Sequence, residues 1–197
     1  MPEFRSQIIF FDKPGAQNTG RTLELAQDRG NDLAINTFVV ASTFGDTGRD
    51  ASGLLKNKNV IVVTHMQGFK GQNTQELSDE NRRIIEASGA RILTVQHTMA
   101  GINRAIRLKM NTYQPDEIIA DVLRLFGAGM KVMLEISMMA ADAGLIEVGK
   151  PIIAIAGTNH GADMAAVVLP ANSINFFDLR ILEIICMPSE NHPGFSK

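Results

Sequence analysis

Five apolar, strand-like runs in this chain each stop abruptly in small polar residues, and that repeat constrains the fold more than any other feature. Gln7-Ile8-Ile9-Phe10-Phe11 runs into Lys13-Pro14-Gly15 and then Asn18-Thr19. Phe38-Val39-Val40-Ala41 ends in Ser42-Thr43-Phe44-Gly45-Asp46-Thr47. Val60-Ile61-Val62-Val63 meets Thr64-His65, Ile92-Leu93-Thr94-Val95 meets Gln96-His97-Thr98, and Ile152-Ile153-Ala154-Ile155-Ala156 meets Gly157-Thr158-Asn159-His160-Gly161. Most of these ends lead into a helical period, as expected of crossover units around a mostly parallel sheet. In such sheets the carboxyl ends of strands and the amino ends of helices converge on one edge, where small ligands bind.

The intervening patterns predict helices. One starts near Asn18 or Thr19 with Leu23 and Ala26 inward and Gly30 as a stop. A second spans about 47–55, with Ala51, Leu54 and Leu55 on one face. A third spans about 74–88, with Asn73 and Glu76 forming a capping box. Met99, Ile102 and Ile106 mark a short helix, and Pro115-Asp116-Glu117 opens another whose apolar face runs from Ile118 to Phe126. After Gly127-Ala128-Gly129, residues 130–143 are apolar around most of the circumference, as in a buried helix. Residues 163–169 and 181–185 read as strands with no long helix between them, so at least one is expected to run antiparallel at an edge. The tail, 189–197, is expected at the surface or frayed.

Composition narrows the function classes. With 197 residues, 45% apolar, 20% charged and a formal charge of −2, the chain reads as one soluble globular domain over 1–197. That charge offers no general attraction for nucleic acid or anionic membrane. The lone Cys186 allows no intramolecular disulfide, and the expected location is cytoplasmic.

Three segments carry a resemblance. They are Val39-Val40-Ala41-Ser42-Thr43-Phe44-Gly45-Asp46-Thr47, Val62-Val63-Thr64-His65 with Gly68-Phe69, and Gly157-Thr158 with Gly161-Ala162-Asp163. With Asn18-Thr19 and Glu135-Ile136-Ser137-Met138-Met139, they make the chain similar to the stand-alone members of the pyruvate kinase carboxy-terminal-domain-like family. Pyruvate kinase activity itself belongs to a barrel of about 250 residues, longer than this chain.

The resemblance implies a three-layer α/β/α fold with a mixed, mostly parallel sheet and core strand order 3-2-1-4-5. Strands would lie at 38–41, 60–63, 91–95, 151–156 and 163–169, the fifth antiparallel, with those at 7–11 and 181–187 as additions. In the relatives, two facing loops hold the phosphates of a sugar bisphosphate, and the stand-alone family is associated with flavin mononucleotide (FMN). The implied binding set here is Ser42, Thr43, Phe44, Gly45, Thr47, Thr64, His65, Thr158, Gly161, Ala162 and Asp163. Thr43, Phe44 and Asp46 depart from the Lys, Ser and Arg that relatives can carry. Asp46 would repel a second phosphate, which leaves a single phosphate on backbone amides and hydroxyls, with Phe44 as a stacking surface.

The residues leave three classes open: a phosphorylated-metabolite binder, a flavin-using oxidoreductase or small hydrolase with His65 or His97 as acid or base, and a metabolite-sensing module. No catalytic residue is assigned, and homo-oligomerisation is left open. His65, His97 and His160 all follow strand ends, but their separations fit no short zinc motif, so no metal is expected. Lys131, Glu135 and Asp142 fall within roughly 40° of one helical face. That face is expected to be a narrow solvent stripe, with a charged cluster reaching the ligand as the alternative.

Overall fold

A computed structural model describes residues 1–195. Its centre is a seven-stranded sheet formed by β1 (Ile9–Phe11), β2 (Thr37–Ala41), β3 (Asn59–Val63), β4 (Arg91–Leu93), β5 (Ile152–Ala156), β6 (Met164–Leu169) and β7 (Arg180–Pro188). The spatial order is β1-β7-β6-β5-β2-β3-β4, so the run from β4 to β6 reproduces the expected 3-2-1-4-5 order. The strands at each end of the sequence are additions beyond it.

Only β6 runs against the others. The reason lies in the connections. Parallel neighbours need a crossover of a dozen or more residues, whereas residues 157–163 between β5 and β6 are too few for one. The edge expectation needs correction, because β7 and β1 continue the sheet beyond β6 and leave the antiparallel strand inside. The edges are β1 and β4.

Among the described residues the α-helices are α1 (Thr19–Asp32), α2 (Asp46–Leu54), α3 (Asp79–Ala87), α4 (Ile102–Met110), α5 (Pro115–Leu123) and α6 (Ala128–Asp142). Alternation along each strand builds a core on both faces of the sheet. Phe38, Val40, Val62, Ile153 and Ile155 pack with Leu23, Ala26, Ala51 and Ile85 of α1, α2 and α3. Val39, Ile61, Ala154, Met164 and Ala166 pack with Met130, Met133, Ile136 and Met139 of α6. Twelve of the fifteen residues of α6 are buried, as its apolar circumference predicts. Arg29 on α1 grips Glu183 on β7 through two nitrogens at 2.9 and 2.8 Å, which clamps the first layer to the added strand.

Several predicted boundaries shift. Gly30 stays inside α1, where an added Cβ would lie 2.5 Å from the Phe38 ring. Leu54 turns outward while Ala51 and Leu55 are buried. The third helix starts at Asp79 and not near 74, because Ser78 caps it by accepting the Asn81 N–H at 3.2 Å. Asn73 instead adopts a left-handed conformation and Glu76 is free for another role. Pro115 does open α5, with Gln114 and Glu117 forming its capping box. The tail up to Phe195 folds back, with His192 stacked on Phe10 at 5.0 Å. The remainder of the 189–197 expectation, Ser196 and Lys197, lies outside the described residues. Among the described residues no helix is long and apolar enough to cross a membrane.

Candidate functional site

The ends of β2, β3 and β5 open into a cleft of about 760 Å³, closed on the far side by α4, α5 and the start of α6. That size is typical of small-molecule sites. Ser42, Thr43, Phe44, Thr47, Thr64, His65 and Gly161 of the expected set line it. Gly45, Thr158, Ala162 and Asp163 do not.

Each of those four has a structural task. Gly45, at φ +100°, makes the turn into α2, and an added Cβ would meet Asn81 and Leu77 at 2.5 Å. Asp163 is fully buried, and its Oδ2 accepts the N–H groups of Gly15 at 2.8 Å and Thr158 at 3.2 Å. It thereby ties the amino-terminal segment to the β5–β6 loop. Ala162 donates its N–H to Thr19 Oγ1 at 2.9 Å in the same junction.

At the start of α2, Ser42 Oγ accepts the Gly48 N–H at 3.0 Å, so this hydroxyl caps the helix from within the chain. Thr47 differs. It is 5% exposed, it faces the cleft, and its hydroxyl has no hydrogen-bond partner among the described residues. Asp46, on the rim, is held by Asn81 Nδ2 at 3.1 Å and Arg49 at 3.6 Å. Thr64 Oγ1 is spent on Thr94 Oγ1 at 2.7 Å.

Two imidazole–carboxylate pairs stand beside this helix end, with ring centroids 5.3 Å apart. His65 Nδ1 lies 2.6 Å from Glu76 Oε2, and its Nε2 lies 3.3 Å from Thr43 Oγ1. The carboxylate can only accept, so it fixes the proton on Nδ1 and leaves Nε2 basic toward Thr43. His97 Nε2 accepts the Met66 N–H at 3.4 Å, and its Nδ1 faces Glu135 across 3.9 Å, beyond hydrogen-bond reach. Burial pushes the His97 pKa down, and the positive charges of Lys131 and Arg104 add to that against the pull of Glu135. Neutral His97 is therefore a scaffold for the site, whereas His65 is the imidazole with a nitrogen free for chemistry.

Glu135 accepts the Met99 N–H at 3.0 Å and pairs with Lys131, both residues being less than 10% exposed. The solvent-stripe expectation is corrected for these two, since they point into the cleft. Asp142 leaves them, accepting from Ser173 N at 3.0 Å and Asn172 Nδ2 at 3.1 Å. Phe69 packs beside both imidazoles, 4.1 Å from His65 and 5.1 Å from His97, under the Arg104 guanidinium at 4.9 Å. His160 does not join them but stacks on Phe44 at 5.1 Å and 15°.

The cleft's charges cancel in number, but their pairing does not leave it neutral. Arg107 pairs with Glu117 at 2.5 Å, Arg124 with Asp121 at 2.5 Å and Lys131 with Glu135. Lys70 and Arg104 have no carboxylate within pairing distance among the described residues, Asp46 is paired outward with Arg49 and Glu76 faces only His65, so two cations and one carboxylate lack an opposite charge. Glu76 was not singled out for the site from sequence, because its spacing also fits a helix cap, and Phe69 entered only beside Gly68 in the resemblance.

No family model matches the chain. Among solved structures it is similar to a pyruvate kinase from Cryptosporidium parvum, with 17% identity over 81% of this chain and 24% of that one, at a TM-score of 0.42. The Cryptosporidium parvum enzyme in complex with ADP matches at 17% identity over 80% and 24%, with a TM-score of 0.41. The chain thus spans about a quarter of the length of those enzymes.

Proposed function

We propose that the cleft binds a phosphorylated small molecule carrying a planar group, with FMN as the leading candidate by resemblance. The observation that carries the reading is Thr47, 5% exposed in the first turn of α2, whose hydroxyl has no protein partner among the described residues and opens onto the cleft. A helix amino terminus offers unpaired N–H groups and a positive dipole end, and a phosphate would satisfy both these and the Thr47 hydroxyl. Lys70 and Arg104 supply unpaired positive charge on the same cleft. The stacked Phe44 and His160 rings present a flat surface to a planar group. FMN fits this donor set through its phosphate and its ring, and when bound it would supply hydride or electron transfer.

Ser42 and Gly45 fall out of the proposed contact set, since one caps α2 and the other faces α3. The clean test is therefore Thr47→Val, which keeps shape and removes the hydroxyl. Losing a hydrogen bond to a charged group costs about 1.5–3 kcal/mol, or roughly ten- to hundredfold in affinity. Titration of the purified protein with FMN and with riboflavin should show that only FMN affinity responds to Thr47→Val. Binding of a simple sugar phosphate but not FMN would reject the flavin and keep the phosphate. Equal affinity of wild type and Thr47→Val for every phosphate tested would reject the site.

A further inference from the structure

We propose that Thr43 is a nucleophile for acyl transfer, activated by His65 and Glu76, so that this cleft hydrolyses small carboxylic esters or thioesters. The proposal uses the cleft described above but does not depend on its taking a phosphate. Its basis is a hydroxyl–imidazole–carboxylate chain, with Thr43 Oγ1 at 3.3 Å from His65 Nε2 and His65 Nδ1 at 2.6 Å from Glu76 Oε2. Nucleophile, base and orienting acid are the three parts such chemistry requires, and a first contact slightly beyond 3.2 Å is common before substrate binds.

The placement is equally specific. Thr43 sits in the turn between β2 and α2, on the wall of the cleft, and is neither buried nor fully exposed. Its hydroxyl has only the imidazole as a partner among the described residues. The competing base, His97, has its Nε2 on the Met66 N–H at 3.4 Å, its Nδ1 toward Glu135 at 3.9 Å, and no hydroxyl among its described partners. Glu76 is 13% exposed at its side chain and has no other ion-pair partner within the described residues, so its charge is available to the imidazolium that forms.

The steps balance without a metal or redox partner. As Thr43 Oγ1 bonds to the acyl carbon, His65 Nε2 takes the hydroxyl proton and the carbonyl electron pair moves onto its oxygen. The oxyanion would draw on free N–H groups at the amino end of α2, the usual source of such stabilisation. When the carbonyl reforms, the bond to the leaving oxygen or sulfur breaks and that atom takes the proton from His65. Water then adds to acyl-Thr43 with His65 again as base, releasing the acid and restoring the hydroxyl.

The probe is p-nitrophenyl acetate, with p-nitrophenolate release followed by absorbance and the protein analysed by peptide mass mapping. Wild type should accumulate up to one acetyl group per chain, on the peptide carrying Thr43 and on that residue. Thr43→Val should abolish the adduct and Thr43→Ser should restore it. His65→Gln should slow acylation at least a hundredfold, the ordinary contribution of a general base. Glu76→Gln should lower the rate and shift its pH profile, while Thr43→Ser with Glu76 intact should not shift the profile. Unfolding midpoints near wild type confirm that the variants are folded. A folded wild type that never acetylates Thr43, or acetylation as fast in His65→Gln as in wild type, overturns the proposal. FMN titration of the same wild-type sample separates the two readings: binding without acylation rejects only this one, and acylation without phosphate binding rejects only the other.

Discussion

Breaking the Lys131–Glu135 pair should cost more than removing it. Both side chains are at most 10% exposed, and they lie four residues apart on α6 with the ammonium against Glu135 Oε2. In Lys131→Met, the carboxylate keeps the Met99 N–H at 3.0 Å and the more distant His97 at 3.9 Å, but loses its counter-charge. In Glu135→Gln, the amide oxygen can still accept from Met99, while a buried ammonium is left alone. Orphaning one member of a buried pair typically costs 3–5 kcal/mol. Because this pair lines a cleft that admits water, we expect about 2–3 kcal/mol for each single substitution.

The double variant Lys131→Met with Glu135→Gln carries no buried charge at either position. It should lie within about 1 kcal/mol of wild type, since neutral replacement of a buried pair is often nearly free. The cycle then yields a coupling of about 3 kcal/mol or more, at or above the upper end for residues in contact. Urea unfolding, with unchanged m-values, measures all four proteins. If the double variant is destabilised by the sum of the singles, the two charges are solvated independently and the buried-pair argument is wrong.

Two further outcomes follow from specific sites. The native pKa of His97 is depressed below its ordinary 6.5, so an unfolded chain takes up a proton that the native one refuses as pH falls through 6.5. His97 should therefore remove stability below that pH, down to its depressed native pKa, and contribute no slope well above 6.5. Comparing urea midpoints of wild type and His97→Gln between about pH 7.5 and 5.5 tests this, and a pH-independent difference would contradict it. Gly161 has φ +77°, and an added Cβ would stand 2.6 Å from Ala16 Cα, whereas Gly89, at φ +87°, has nothing within 4 Å. Gly161→Ala should cost about 3 kcal/mol or more from strain plus overlap, and Gly89→Ala only about 1 kcal/mol; thermal melts giving equal losses would show that the junction with residue 16 yields freely.

The alternation of strands and helices was legible because alternating apolar runs and helical periods are properties of many residues at once, whereas the strand order came only with the resemblance. What lay beyond β6 was not legible, since pairing between β1 and β7 joins residues at opposite ends of the chain. The site divides along the same line. Thr43, Thr47 and His65 announce themselves by following strands, but their partners come from other elements. Glu76 sits at a spacing that also fits a helix cap, and only the capture of that role by Ser78 frees it for His65. Lys131 and Glu135 carried a usable clue: two charges one turn apart on a helix that is otherwise apolar all round cannot both reach solvent easily.

The two threonines of the β2–α2 turn give the cleft its chemical direction. Thr43 and Thr47 are four residues apart, yet one hydroxyl meets an imidazole while the other has no hydrogen-bond partner among the described residues. A hydroxyl beside a base is arranged for reaction, and one that opens onto the cleft without a protein partner is available to a ligand. If one molecule uses both, its anionic group rests at α2 and its electrophilic centre faces Thr43. A neutral acetate ester and an ester bearing a phosphate then become the informative pair of substrates. Faster acylation of Thr43 by the phosphorylated ester, lost in Thr47→Val while the neutral ester is unaffected, would join the two hydroxyls in a single mechanism. Equal rates for both esters would mean that the two readings describe separate uses of the same cleft.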